Sequence, residues 1–277
     1  MELTKEQVEK LKIIELEIFK QFISVCEKLN LKYYLLGGTL LGAVRHQGFI
    51  PWDDDIDVGM PREDYEIFIR EAQQYLPVRY FVQTNVTDPD LPMNFAKVRD
   101  SETTYIETSV KDRRINHGAY IDVFPLDKHP DDEKELKKFQ KKNAQLFRII
   151  RKVFTLDKRV SFLRHVKQKL IQLLPSRYSW KKAVALREEL LKSNKGEKML
   201  ANYCGAWGKK EIVPTEWYGE GAELTFEGLK VNAPKEYKAW LTQVYGDYMQ
   251  LPPEEKRVGH HYTEIIDLEK SYTEYMK

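Results

Sequence analysis

Apolar residues near the start of the chain recur at the period of an α-helix. From Val8 to Val25 they return every three or four positions along the sequence. Thr4 and Gln7 have the spacing of a capping box, in which each side chain bonds the other residue's backbone N–H. The pattern predicts one long amphipathic helix that ends near Leu29.

The segment that follows alternates short β-prone runs with helical ones. "KYYLLGG" predicts a strand stopped by two glycines, and "TLLGAVRH" predicts a helix with Thr39 as its N-cap. "DIDVGM" predicts another strand, and Pro61 predicts the first position of the helix "REDYEIFIREAQQYL". Further strand candidates, separated by turn residues, are "YFVQT", "FAKVRD", "TTYIET" and "AYIDVFPL". Residues 1–127 are therefore expected to form a compact unit around a mixed sheet.

The chain changes character after residue 127. Residues 128–170 hold 14 Lys or Arg against 5 Asp or Glu, with apolar residues at helical spacing. This predicts one or two basic amphipathic helices ending near Pro175, followed by another helix over 180–203. Such helices either pack on the core with a solvated basic face, or attach through residues 128–174 to an anionic membrane surface or polymer.

The C-terminal part is rich in Gly, Trp and Tyr. "ELTFEGLKVNAP" predicts two short strands around a turn. No internal repeat or low-complexity linker interrupts the sequence, so three parts are expected to form one continuous molecule. They are a catalytic core over 1–127, a basic helical region over 128–200, and an aromatic-rich region over 201–277 that packs on the core.

Composition narrows the class of protein. Among 277 residues, 42% are hydrophobic and 32% charged, which is a globular balance. The net charge of +2 says little about the protein as a whole, and we expect no nucleic-acid partner. Cys26 and Cys204 are too few for a disulfide framework or a zinc site. The N-terminus lacks the pattern of a signal peptide, and no window approaches a membrane span. We expect a cytoplasmic protein, with peripheral contact to the inner face of the membrane as the alternative.

Two stretches carry candidate chemistry. Gly37-Gly38-Thr39, between a predicted strand and a predicted helix, would let a phosphate approach the helix N-terminus, although a tight turn explains the glycines equally well. Asp55 and Asp57 lie two apart on a predicted strand, so both carboxylates project to one face and could clamp Mg²⁺ or Mn²⁺. An EF-hand is excluded because its glycine and final glutamate positions hold Val58 and Asp64. Asp122 lies alone among apolar residues on a later strand and could complete the clamp.

This order of motifs resembles the nucleotidyltransferase superfamily. The block "YYLLGGTLLGAVRHQGFIPWDDDIDVGMPREDYEIF", with "NFAKVRD", "HGAYIDVFPLD" and the late "YMQLPPEEKR", resembles the LicD family of phosphocholine transferases. The resemblance covers residues 33–127 well and 245–262 more loosely. It implies an α+β fold: a nucleotidyltransferase-like mixed β-sheet core flanked by helices, with an added helical and small β region.

The resemblance also implies an activity. Phosphocholine would move from CDP-choline to a hydroxyl of a lipid-linked bacterial glycan precursor, of teichoic acid or lipopolysaccharide type, with release of CMP. Gly37, Gly38 and Thr39 would hold the nucleotide phosphates. Asp55 and Asp57 would bind Mg²⁺ or Mn²⁺, and Asp122 would ligate the metal or take the acceptor's proton.

Several other residues are candidates for substrate binding. Lys97 and Arg99 project from one strand face towards phosphate oxygens or are exposed strand charges, and Arg45 is a weaker candidate. Asp53 and Asp54 lie on the approach to the metal, facing substrate or supporting the ligands. Aromatic faces suit a quaternary ammonium, and the candidates are Trp52, Tyr203, Trp207, Trp217 and Tyr218. His260 and His261 are expected at the surface, with contact to the active site as the alternative.

Other functions fit part of this pattern. A metal-dependent glycosyltransferase with an Asp-x-Asp motif would explain the acids but not the glycines before them or Asp122 after them. A nucleotidyltransferase with another acceptor and a non-enzymatic cation-binding module are the remaining alternatives. The acceptor sugar, and choline against another amino-alcohol, stay open at this point.

Overall fold

The computed structural model describes residues 3–157, 160–257, 259 and 262–276. Its helices are α1 (Lys5–Leu29), α2 (Gly37–His46), α3 (Arg62–Glu71), α4 (Glu133–Ile150), α5 (Phe162–Leu173), α6 (Trp180–Lys192) and α7 (Tyr237–Tyr245). Its strands are β1 (Tyr34–Leu35), β2 (Asp57–Pro61), β3 (Tyr80–Gln83), β4 (Ala96–Asp100), β5 (Thr104–Glu107), β6 (Ala119–Lys128), β7 (Met199–Ala201), β8 (Ile212–Pro214), β9 (Ala222–Phe226), β10 (Leu229–Ala233) and β11 (Thr263–Asp267).

Helix α1 confirms the periodicity of the N-terminal segment. Thr4 and Gln7 form both bonds of the capping box, and Asn30 ends the helix in the left-handed conformation. The apolar face that the pattern predicts is buried, with Ile18, Phe19 and Phe22 fully inside the protein. Helix α1 therefore packs lengthwise on the sheet.

The sheet is mixed, as the strand pattern predicts. Its order is β1-β2-β6-β4-β3, with β7 added to β6 and β8 to β7. Strands β2 and β6 run parallel, and every other pair in the sheet is antiparallel. Helices flank this sheet, which confirms the α+β class. The parallel pair is important for function because it brings Asp57 and Asp122, 65 positions apart in the sequence, into register.

Three predicted boundaries are wrong, and one predicted strand is confirmed but lies outside the main sheet. Helix α2 begins at Gly37 instead of at a Thr39 N-cap, and Leu36 precedes it without a side-chain cap. Helix α3 begins at Arg62, because Pro61 still belongs to β2. The strand "TTYIET" leaves the main sheet and pairs with β11. The helix predicted over 180–203 ends at Lys192, and β7 follows a turn in which Gly196 packs against the His129 carbonyl without room for a side chain.

One hydrophobic core joins the N-terminal unit to the C-terminal residues. Val213, Phe226 and Trp240 are fully buried in the same cluster as Phe19 and Val123. A smaller cluster joins α4 to α6. None of the helices described is long and apolar enough to cross a membrane.

Candidate active site

A cleft of about 1070 Å³ lies at the end of the parallel pair β2 and β6. Its walls come from the start of α2, the loop before β2, the middle of β6, and two remote segments around residues 202–211 and 245–255. The cleft is large enough for a nucleotide with an attached alcohol, since small-molecule sites span about 300–1,000 Å³.

Three alternate aspartates line this cleft. Asp53, Asp55 and Asp57 face it, while Asp54, Ile56 and Val58 point the other way and are buried. Only Asp57 belongs to β2, but the alternation of an extended chain continues back through the preceding loop. The two-residue spacing of Asp55 and Asp57 on an extended strand predicts this shared face. Asp53 shares it too, whereas Asp54 does not line the cleft.

Asp122 reaches the cleft from the neighbouring strand. It is the register partner of Asp57, and its backbone N–H donates to the Ile56 carbonyl at 2.9 Å. Adjacent strands lie about 4.8 Å apart, so the two side chains leave the sheet side by side. The fold therefore brings Asp55, Asp57 and Asp122 to one cleft, as their pattern predicts.

The two glycines make room for carboxylates at the start of α2. Gly37 has a φ of +53°, and a Cβ there would lie 2.8 Å from Asp57 Oδ2. A Cβ on Gly38 would overlap Asp53 Oδ2 and lie 3.4 Å from its Cγ. These carboxylates thus lie against a helix N-terminus, where the backbone dipoles favour negative charge.

Thr39 connects α2 to the strand that carries the aspartates. Its hydroxyl accepts a hydrogen bond from the Asp57 N–H at 2.8 Å, and the residue is 3% exposed. It does not line the cleft. Within the described chain its contacts are therefore with the acid-bearing segment, which it positions.

The donor chemistry fits a hard divalent cation. The described residues contain no group of three or more His, Cys, Asp or Glu side chains gathered closely enough to hold a metal by themselves. Mg²⁺ is usually bound through one or two carboxylates together with substrate phosphates and water. Carboxylates beside a glycine-lined helix N-terminus fit this mode of binding, in which substrate phosphates supply the remaining ligands, because a phosphate entering there needs a cation to offset the acids.

Lys97 and Arg99 are fully buried, so the interpretation as exposed strand charges is wrong. Lys97 Nζ lies 2.8 Å from Asp122 Oδ1 and 3.4 Å from Glu107 Oε1. Arg99 bonds Glu107, the Gly118 carbonyl and Gln83. Neither residue lines the cleft. Lys97 therefore contacts Asp122 from inside the protein.

The predicted aromatic and basic residues divide between cleft and core. Arg45, Trp52 and Trp207 line the cleft. Trp217 and Tyr218 do not line it, and Tyr218 is buried against Tyr34 at a centroid distance of 5.1 Å.

Tyr203, another aromatic candidate, contacts a histidine outside the cleft. Tyr203 Oη lies 2.6 Å from His129 Nδ1, and the residue lies outside the cleft. His260 and His261 lie outside the described residues.

Remote segments contribute residues that the sequence analysis did not single out. Phe124 shares the strand face of Asp122, and the period of two was a signal that could have found it. Glu211 comes from a segment with no recognisable motif, and Tyr245 begins the loosely matching tail, where it was not singled out. Burial and the nearby carboxylates of Asp57 and Asp53 raise the pKa of Tyr245, so its hydroxyl stays protonated beside them.

Comparison of the sequence with known proteins finds similarity to transferases. The family described as LicD/FKTN/FKRP, nucleotidyltransferase domain, matches residues 30–167. The chain is 32% identical over 263 residues to "Lipopolysaccharide cholinephosphotransferase LicD" of Haemophilus influenzae, covering 92% of this chain and 96% of that protein. It is 33% identical over 121 residues to human "Ribitol 5-phosphate transferase FKRP", covering 42% of this chain and 24% of that protein. The family match contains the glycine pair and the cleft carboxylates of Asp53, Asp55, Asp57 and Asp122.

Proposed function

Since this chain belongs to the LicD family and is a phosphotransferase enzyme, we propose that it transfers phosphocholine from CDP-choline to a hydroxyl of a cell-surface glycan precursor. The acceptor oxygen forms a bond to the phosphorus that carries choline. The bond from that phosphorus to the bridging oxygen breaks, CMP leaves, and the hydroxyl proton is released. The Haemophilus influenzae relative is named as a lipopolysaccharide cholinephosphotransferase. A lipopolysaccharide precursor is therefore the first acceptor to test, and a teichoic acid precursor is the second.

The observation that supports this proposal best is the convergence of three carboxylates on a glycine-lined helix start. Asp55, Asp57 and Asp122 lie in one cleft, and Gly37 and Gly38 carry no side chain that would block the adjacent backbone. A diphosphate needs such a site, because its charge must be offset and its phosphorus held in line with the acceptor. We assign Mg²⁺, or Mn²⁺, to the carboxylates of Asp55, Asp57 and Asp122, which would hold it together with substrate phosphates and water; when bound it would polarise the phosphate oxygens.

The chain's own residues would bind the phosphates of the donor and position the carboxylates of the cleft. The open start of α2 presents backbone N–H groups to phosphate oxygens, and Arg45 adds a positive charge on the same cleft wall. Thr39 positions the segment of Asp57 by accepting its N–H. Lys97 holds the carboxylate of Asp122 at 2.8 Å, which keeps its side chain directed towards the cleft. Asp122 is the residue we assign to face the acceptor hydroxyl.

The decisive experiment offers the protein two classes of donor. With Mg²⁺ and a lipopolysaccharide or teichoic acid precursor, we expect CMP release from CDP-choline and phosphocholine on the glycan, detected by mass spectrometry. UDP-sugars should be inert. Turnover of a UDP-sugar without turnover of CDP-choline would instead support the Asp-x-Asp glycosyltransferase. CMP release from CDP-ribitol or CDP-glycerol alone would replace choline by another alcohol.

The structure also favours a location for this reaction. Helix α5 exposes a stripe of apolar side chains, with Phe162, Leu163 and Leu173 79%, 78% and 81% exposed. At about 100° per residue, the stripe they form with Val166 and Leu170 covers an arc of about 100°.

The opposite face of α5 holds the helix to the protein. Gln168 is buried there and bonds the carbonyls of Arg151 and Phe154. The apolar stripe therefore points directly away from the core, the reverse of a helix that packs on it. Lys167 and Lys169 flank the stripe on its two sides.

Such a helix suits the interface of an anionic membrane, and we assign α5 to it. Apolar side chains would enter the headgroup region while the flanking lysines meet anionic lipids. A second copy of the chain would bring the same basic flanks together, which is unfavourable. A peripheral enzyme at the inner face of the membrane would meet a lipid-linked acceptor there.

Vesicle flotation tests this assignment. The protein should float with phosphatidylglycerol-containing vesicles and dissociate as salt is raised, and charge reversal of Lys167 and Lys169 should weaken binding at least about fivefold for each lysine. Leu170→Ser with Leu173→Ser should weaken it at any salt. Charge reversal of Lys230 and Lys235, which are exposed on another face, is the matched control. Equal loss in the control, or self-association in place of flotation, contradicts the assignment.

A further inference from the structure

Glu211 is a buried carboxylate in the wall of the cleft. It is 3% exposed, and its oxygens accept hydrogen bonds from the Trp207 N–H and from Asn202 Nδ2, both at 2.8 Å. Both donors are neutral. Within the part of the chain that the structure describes, Glu211 has no ion-pair partner. A buried carboxylate is normally paired with a cation, so this one requires an explanation.

Two aromatic rings lie beside this carboxylate and line the same cleft. Trp207 and Tyr245 meet edge to face at a centroid distance of 4.9 Å, and Trp207 is 43% exposed. A tryptophan that a solvent-filled cleft leaves exposed offers a π face to a ligand. The carboxylate and the two rings thus bring a carboxyl group and π faces to the lining of one cleft.

Lys210 lies near this wall, but among the described ion pairs it forms none with Glu211. Its ammonium lies 5.5 Å from the Trp207 ring centroid, but it donates to the Val244 carbonyl at 2.6 Å. That bond holds the lysine on α7. The segment that carries Glu211 is built closely around the carboxylate, because a Cβ on Gly205 would overlap both of its oxygens.

We propose that Glu211, Trp207 and Tyr245 form the subsite for an organic cation, the quaternary ammonium group of the donor. This inference rests on the proposed function. A quaternary ammonium has no hydrogen-bond donor, so it is recognised by π faces and by an unpaired negative charge at short range. The three side chains supply these two features and lie in the same cleft as the metal-binding carboxylates, at a part of it formed by different segments.

The protonation of Glu211 agrees with such a role. Burial raises its pKa to about 7, because the charged form loses its hydration and no cationic side chain among the described residues pairs with it. A bound cation would favour the ionised carboxylate. Tyr245 and Tyr218 also face Glu211, and burial raises the pKa of both, so neither ionises near neutrality.

Equilibrium binding measurements distinguish recognition of the positive charge of the choline group from recognition of its shape. Calorimetry with Mg²⁺ would compare CDP-choline with its neutral isostere, in which carbon replaces the quaternary nitrogen. We expect the wild type to bind the cation about 10- to 30-fold more tightly than the isostere. Glu211→Gln should remove most of this preference, and Trp207→Leu should weaken it. CMP, which lacks the cation, should bind all proteins equally, which verifies their folding.

Glu216→Gln is the matched control, an exposed glutamate in the same C-terminal region and outside the cleft, and should keep the full preference. Equal affinity of the wild type for the two ligands overturns the subsite, as does a preference that survives both Glu211→Gln and Trp207→Leu. If CDP-choline binds with the expected preference but no acceptor is modified, the subsite stands and the proposed transfer is refuted. Should Glu211→Gln not fold, the wild-type ligand pair and Trp207→Leu decide the question.

Discussion

Replacement of Gly38 by alanine should separate activity from stability. The added methyl group would overlap Asp53 Oδ2, so the carboxylate must move by roughly 1 Å to restore normal contact. The obstacle is the end of a flexible side chain and not backbone, so the protein can relax cheaply. Alanine inside a helix is favoured over glycine by about 0.5–1 kcal/mol, which offsets the remaining crowding.

We therefore expect a Gly38→Ala protein that is as stable as the wild type but a poor enzyme. A misplacement of about 1 Å in an active site can cost roughly 100-fold in rate. The assay is kcat/KM for CMP release from CDP-choline, with the urea midpoint as the measure of stability. A matched loss of stability and activity would show that the glycine serves the fold and not the site.

A double-mutant cycle identifies what the glycine accommodates. If Gly38 makes room for the Asp53 carboxylate, adding Gly38→Ala to Asp53→Ala should cause no further loss. A loss as large in that background as in the wild type refutes the reasoning from Asp53. That result would mean that the substrate, and not the Asp53 carboxylate, requires the space beside Gly38.

Three further predictions concern the acids and their partners. Asp55→Ala and Asp122→Asn should lower transfer at least about 1,000-fold without changing the circular dichroism spectrum, and retention of a tenth of the activity by either would remove it from its assigned role. Lys97→Met should lower the free energy of unfolding by about 3–5 kcal/mol because it leaves Asp122 without its buried cation, whereas Lys111→Met, which breaks an exposed pair, should cost less than about 1 kcal/mol in the same urea titration. The folded protein raises the pKa of Glu211 from 4.5 to about 7. The wild type should therefore lose about 3 kcal/mol of stability relative to Glu211→Gln as the pH rises from about 4.5 to 7, and little more above that. Parallel pH profiles of stability for the two proteins would contradict this expectation.

Local patterns predicted much of the fold because they report on short-range physics. The capping box at Thr4 and the period of the following helix depend on neighbours within one turn, and both are confirmed. The alternation that sends Asp55 and Asp57 to one face depends only on an extended backbone. The start of α2 was predicted wrongly, because the helix begins at Gly37 without a side-chain cap instead of after an N-cap at Thr39.

Long-range contacts decided the features that the sequence analysis missed. Lys97 and Arg99 have the alternation of surface charges, but their strand is central in the sheet and their partners, Glu107 and Asp122, come from other strands. Likewise, no spacing in the sequence connects Glu211 or Tyr245 to the aspartates. Side chains from distant segments meet only when the sheet and the C-terminal region pack together.

The sequence by itself determined the kind of chemistry: paired carboxylates on a strand face, a glycine pair before a helix, and a lone acid on a later strand. Each is a property of a few adjacent residues and of their backbone geometry. The tertiary structure alone decided that Asp57 and Asp122 are in register, that Lys97 pairs with Asp122, and that Glu211 is buried with no ion-pair partner among the residues that the structure describes. The physical reason is that register, burial and charge pairing depend on which strands and helices pack together, and local spacing carries no record of those partners.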